Sequence, residues 1–151
     1  MEFANQLDPQ ETPEHTEGRE GFIWLNHIDG NQSTCTMQLS IRDHDRAGYV
    51  EKKQRLHALA SNLADAHPRA TITCNIEDVY ANISDAKTAE NSIGSERLHA
   101  TMRRLGIEIK EIDMRGGTDG SWLSNQGVYT PNYFTGAHNF HSIYEFLPVP
   151  S

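Results

Sequence analysis

The chain's polar and apolar residues change period several times, and each change predicts an element. The segment "STCTMQLSIR" alternates Cys35, Met37, Leu39 and Ile41 with Thr34, Thr36, Gln38, Ser40 and Arg42. That is the period of a strand with one buried and one wet face, and it places Arg42 on the polar face at the strand's end. Before it, "GFIWLNHIDGN" is a short apolar run ending in Asp29-Gly30, a dipeptide suited to a tight hairpin, so a strand precedes the turn. After it, "DHDRAGYVEKKQRLHALASNLADAHP" sets Val50, Leu56, Leu59, Ala60 and Leu63 on one side of a 3.6-residue period. Pro68 stops that helix near His67. Alternation returns in "ATITCNIEDVY" through Ile72, Cys74 and Ile76, so the first part reads strand, strand, helix, strand.

A second part starts near Asp85. A helix beginning at or near Ser95 sets Leu98, Met102 and Leu105 on one face, and Gly106 sits where a left-handed residue ends a helix. "IEIKEIDM" then reads as a strand, "GGTDG" as a turn and "SWLSNQ" as a short helix closed by Gly127. The fold class is therefore α/β: an α+β first portion, followed by a partial α/β segment with its glycine turn where such sheets place ligands. The opening "ANQLDPQETPEHTEGREG" has few apolar residues and reads as exposed, irregular chain.

Composition narrows the function. A length of 151 residues allows one ordinary domain or two small ones, and a formal charge of −8 leaves no basic footprint for nucleic acid. Cys35 and Cys74 lie in alternating stretches and form no CxxC pair, which favours buried thiols in a reducing compartment. No signal peptide opens the chain and no apolar run approaches the ~20 residues that span a bilayer, so a soluble, cytoplasmic protein is expected.

Gly116, Gly117 and Gly120 would let backbone N–H groups approach a ligand ahead of a helix. The same residues equally make a plain turn with Thr118 or Asp119 as the helix cap. His138 and His141 could reach one metal if their segment were helical, but "GAHNFHS" is rich in turn formers, and Glu145 could orient an imidazole or lie on the surface. Arg42 has two readings: a solvated edge charge, or a guanidinium fork for a carboxylate. Asp43, His44 and Asp45 look more like a helix cap than a metal site.

The motifs "TPEHTEGREGF", "IRDHD", "RGGTDGSWLS" and "TPNYFTGAHNFHSIYEFLPV", in that order, resemble the C-terminal part of the peptidase T family. These are aminotripeptidases of a dizinc metallopeptidase superfamily that includes carboxypeptidase G and succinyl-diaminopimelate desuccinylase. The resemblance implies that residues 1–83 are most of a lid or dimerisation domain and residues 84–151 the returning end of the catalytic domain. It also implies that His141 is the last zinc ligand and that Arg42 receives the substrate's C-terminal carboxylate. The 115–120 turn, with Arg115, Gly117, Thr118 and Asp119, then lines the substrate cleft.

In the complete enzyme so implied, two zinc ions polarise the scissile carbonyl of a tripeptide and a glutamate deprotonates a bridging water. That glutamate, the remaining zinc ligands and the lid's first strand would lie upstream of Met1. One histidine does not make a catalytic zinc site. The chain thus reads as an inactive fragment of a zinc aminopeptidase, with a homo-oligomer and no membrane contact expected. A non-catalytic dimerisation or binding module, or a remnant that lost its metal site, is the alternative.

Overall fold

The computed structural model describes residues 1–149, with mixed helix and antiparallel strand. Its elements are α1 (Glu2–Asn5), β1 (Phe22–Gly30), β2 (Cys35–Arg42), α2 (Arg46–Ala66), a 3₁₀ turn (Ile83–Ala86), α3 (Ile93–Arg104) and α4 (Asp119–Asn125). The α+β character expected of the sequence holds. The chain packs as two compact units, Met1–Val79 with Glu108–Gly117, and Tyr80–Ile107 with the residues from Thr118 on.

In the first unit β1 and β2 pair antiparallel from Phe22↔Arg42 to Gly30↔Cys35, with an irregularity between Leu25 and His27. The expected hairpin is present, but its turn is not Asp29-Gly30: both residues stay in the ladder. Asn31 makes the turn instead. Its side-chain oxygen accepts the N–H groups of Ser33 (2.8 Å) and Thr34 (3.0 Å), closing a short loop without a glycine. α2 starts where Asp45 accepts from the Gly48 N–H and ends at Ala66, ahead of Pro68.

The stripe that α2 buries is Lys52, Leu56, Ala60 and Leu63, joined in the core by Phe22 and Ile23. Val50, expected on that stripe, is exposed. The helix is rotated so that Lys52 faces Asp43, whose carboxylate lies 2.8 Å from Nζ, with Glu11 at 3.7 Å. Room for Asp43 comes from Gly21 and Gly48, where any Cβ would run into the carboxylate.

Two expected strands are not hydrogen-bonded strands. Residues 71–79 do alternate, with Ile72, Cys74 and Ile76 half-buried between exposed neighbours. Yet no backbone hydrogen bond joins them to any described residue. Their pattern is that of a strand, but pairing needs a second strand. Side chains tie the segment's end to α2 instead: Asp78 accepts from the Tyr49 hydroxyl at 2.7 Å and from Lys53 at 2.8 Å. Lys53 and Tyr49 hold the Asp78 carboxyl below the usual carboxylate range, and burial together with Asp78 pushes the Tyr49 hydroxyl up to about 12. "IEIKEIDM" is not among the strands of the described residues either, and Ile112 and Met114 in it are exposed. With only the β1–β2 ladder among the described residues, the thiols are not deeply buried either: Cys35 is exposed and Cys74 only half-buried, and burial raises the Cys74 thiol's pKa.

In the second unit both predicted glycine stops are observed. Gly106 (φ +71°) and Gly127 (φ +90°) close α3 and α4. In each case the next residue's N–H reaches back to the helix, Ile107 to the Met102 carbonyl (2.9 Å) and Val128 to the Leu123 carbonyl (3.0 Å). α4 packs on the 3₁₀ turn. Among the described residues no helix is long and apolar enough to cross a membrane.

Candidate functional site

The residues singled out from the sequence fall in both units. Arg42 ends β2, half-buried, and its Nη1 donates to the Arg115 carbonyl at 3.4 Å. Arg115 itself lies in the first unit, and its guanidinium donates to the backbone and side-chain oxygens of Thr16. The same group stacks 4.7 Å from the centroid of Phe22, while its Nε is buried with no hydrogen-bond partner among the described residues. Arg115 thus fastens the irregular N-terminal segment to β1. Nothing in the spacing of Thr16 and Arg115, 99 residues apart, could have announced that contact.

Gly117 is exposed at the end of the first unit's second segment. Thr118 and Asp119 belong to the second unit, where Thr118 is the N-cap of α4 and Asp119 its exposed first residue. The Thr118 hydroxyl donates to the Asn132 side-chain oxygen at 2.8 Å, and the Thr118 N–H donates to Ser121 Oγ at 3.2 Å. Of the two readings left open for this turn, the helix cap is the one the hydrogen bonds display. Gly120 is required by packing, since a Cβ there would run into the Thr130 carbonyl oxygen.

His141 is exposed on a loop, and no helix contains it. The loop is closed by a bridge between His138 and Phe146, with N···O distances of 2.9 and 3.2 Å and the two rings stacked 5.2 Å apart. His138 is therefore a closure residue of this loop. Inside it, Asn139 (φ +57°) and His141 (φ +61°) both hold the left-handed conformation that non-glycine residues rarely adopt. The surrounding bonds enforce it: Glu145 accepts the His141 backbone N–H at 3.1 Å and the Asn139 side-chain amide donates to the Tyr144 carbonyl at 3.3 Å. Glu145 thus fixes the backbone under the imidazole.

Among the described residues no three His, Cys, Asp or Glu side chains come together in a way that could hold a metal ion. A catalytic zinc needs about three protein ligands and an open position. His141 alone does not fit that requirement. An open cleft of about 360 Å³ lies between α2 and residues 71–79, lined by Val50, Lys53, Gln54, His57, Ile76 and Asp78. It contains none of the predicted site residues.

No family model matches the chain. Individual proteins do. A peptidase T-like protein of Yersinia pestis is 44% identical over 155 residues, covering 99% of this chain and 36% of that protein. A peptidase T-like protein of Rhizobium meliloti is 44% identical over 151 residues, covering 100% of this chain and 37% of its own length. Peptidase T of Caldanaerobacter subterraneus is 40% identical over 149 residues, covering 99% of this chain and 36% of that protein. The chain therefore spans little more than a third of the length of the curated relatives it matches.

Proposed function

Because the chain is homologous along its whole length to proteins named peptidase T, we propose that it is the C-terminal portion of a zinc-dependent aminopeptidase that releases the N-terminal residue from tripeptides. Residues 1–83 form most of the lid and residues 84–151 the returning end of the catalytic domain. Arg42 receives the substrate carboxylate, and the turn carrying Arg115, Gly117, Thr118 and Asp119 lines the cleft. His141 contributes one ligand to a pair of zinc ions whose other ligands come from polypeptide outside this sequence. The protein works in the cytoplasm as a homo-oligomer on small peptides.

The observation that supports this reading most is the near-complete alignment of the chain with only 36% of a relative named peptidase T. Its surface supports it. Phe140, Ile143, Tyr144, Phe146 and Leu147, all around His141, are among its exposed apolar side chains. Such a patch is what a chain shows when its covering partner is elsewhere. A strained, well-bonded loop that presents one histidine is also what a shared metal site requires of one contributor.

A second reading, a non-catalytic dimerisation or binding module, is favoured by the lone histidine. The two separate when the chain is joined to the rest of a peptidase T. Both expect no tripeptide hydrolysis by the chain alone, with or without zinc, since the general base and most ligands are missing. Turnover of tri-alanine that persists through mock purification and responds to a chelator contradicts the fragment reading. Zinc-dependent gain of activity on joining the chain to the rest of a peptidase T contradicts the module reading.

A further inference from the structure

We propose that Thr16 is a positioning residue for recognition of the substrate's C-terminal carboxylate: it holds Arg115, and Arg115 in turn holds the guanidinium of Arg42. The proposal rests on the reading of Arg42 as the residue that receives the carboxylate. Every residue it uses belongs to the first unit.

Arg42 sits in a closed circuit of contacts. It pairs with Phe22 across the β1–β2 ladder, the Arg115 guanidinium lies 4.7 Å from the centroid of the Phe22 ring, and the Arg115 carbonyl accepts from Arg42 Nη1 at 3.4 Å. A long side chain at a strand end has many rotamers, and a fork that must meet two carboxylate oxygens binds more tightly when those rotamers are settled beforehand. Phe22 is buried in the core and gives the circuit one fixed side. Thr16 gives it the other, since its carbonyl and hydroxyl oxygens accept from the two terminal nitrogens of Arg115.

Thr16 is itself a firm anchor. Its hydroxyl donates to the Thr12 carbonyl at 2.7 Å, which leaves a lone pair for Arg115 Nη2. The same Thr12 carbonyl accepts the His15 N–H at 3.1 Å. Just upstream, the Glu11 carbonyl accepts the Ile23 N–H at 2.8 Å and the Glu11 carboxylate pairs with Arg55, so this segment is tied to both β1 and α2. Arg115 Nε, buried with no hydrogen-bond partner among the described residues, is the cost of the arrangement. An orphaned donor weakens a purely stabilising clamp and is the kind of local loss that functional positions carry.

The test uses the chain joined to the rest of a peptidase T, with tri-alanine and its C-terminal amide as substrates. Thr16→Val keeps the side chain's shape and deletes its hydroxyl. It should lower kcat/KM for tri-alanine by roughly three- to tenfold through a raised KM, and change that for the amide by less than about twofold. Thr16→Ser should keep the parent's values. In an Arg42→Ala background Thr16→Val should cost nothing further, because its effect passes through that guanidinium. A second measurement needs no activity: in the chain alone, the side-chain Nε–H resonance of Arg42, assigned by its loss in Arg42→Lys, should move in Thr16→Val and stay in place in Thr16→Ser. Equal losses on both substrates, or an Arg42 resonance unmoved by Thr16→Val, overturn the proposal. If Arg42→Ala fails to discriminate the acid from the amide, the reading of Arg42 falls and this inference with it. If Arg42→Ala does discriminate and the loss from Thr16→Val adds to it, this inference alone is overturned.

Discussion

Arg42→Ala, introduced after this chain is joined to the remainder of an active peptidase T, is expected to lower kcat/KM for a tripeptide by roughly 30- to 1,000-fold. Arg42 ends β2 opposite Phe22 and is half-buried, with the Arg115 carbonyl 3.4 Å from one of its terminal nitrogens. That contact orients the guanidinium from one side, and Arg115 is itself held by Thr16 and Phe22. A planar fork so supported is suited to the two oxygens of a carboxylate, and removing one partner of a charge-assisted pair in a desolvated site costs about 2–4 kcal/mol. Lysine at this position should recover only part of the loss, since a point charge does not reproduce the fork. A tripeptide with an amidated C-terminus separates recognition from lid structure. It should be a poor substrate of the parent and nearly indifferent to Arg42→Ala; equal losses on both substrates would make Arg42 a structural residue.

Lys52→Ala is expected to be the most damaging single change to the first unit, by about 3–5 kcal/mol. The lysine is buried at the top of the α2 stripe, and its partner Asp43 has a side chain only 7% exposed. Truncation leaves that carboxylate in a pocket with no ammonium beside it, and Arg55, which pairs with Glu11, is not bonded to Asp43. Whole domains are stable by only about 5–15 kcal/mol, and the apolar core here is small. Unfolding of Lys52→Ala in urea should therefore begin at or near zero denaturant. The double variant Asp43→Asn/Lys52→Met should regain much of the stability, because no unpaired charge remains. A Lys52→Ala chain within about 0.5 kcal/mol of the parent would show that the network is solvated.

Features decided by neighbouring residues were legible in the sequence. Asp45 before α2, Pro68 after it, and Gly106 and Gly127 at the ends of α3 and α4 each act over one turn of chain, and each sits where the pattern put it. The hairpin was legible but its turn was not, because Asn31 turns the chain by accepting two backbone N–H groups and so displaces the role assigned to Gly30. Strand status depends on a partner, and alternation cannot supply one. Residues 71–79 keep the burial pattern yet are not among the strands of the described residues, and neither are 107–114.

The α2 stripe shows the same limit. An apolar period points to Val50, whereas the fold buries Lys52 because Asp43 waits there, a fact carried by the chain's path through Gly21 and Gly48. Of the candidate site residues, Thr118 as helix cap was readable locally. The Arg115–Thr16 contact and the left-handed backbone of His141 were not, since both are imposed by residues that meet only after folding.

The most direct measurement is tripeptide hydrolysis by a chimera in which this chain replaces the matching stretch of the Caldanaerobacter subterraneus peptidase T, purified with zinc and shown folded by circular dichroism. The expected result is turnover of tri-alanine by the chimera, none by the chain alone, and none by the chimera carrying His141→Ala. A folded chimera without activity, or one whose turnover survives His141→Ala unchanged, contradicts the assignment of this chain as part of such an enzyme.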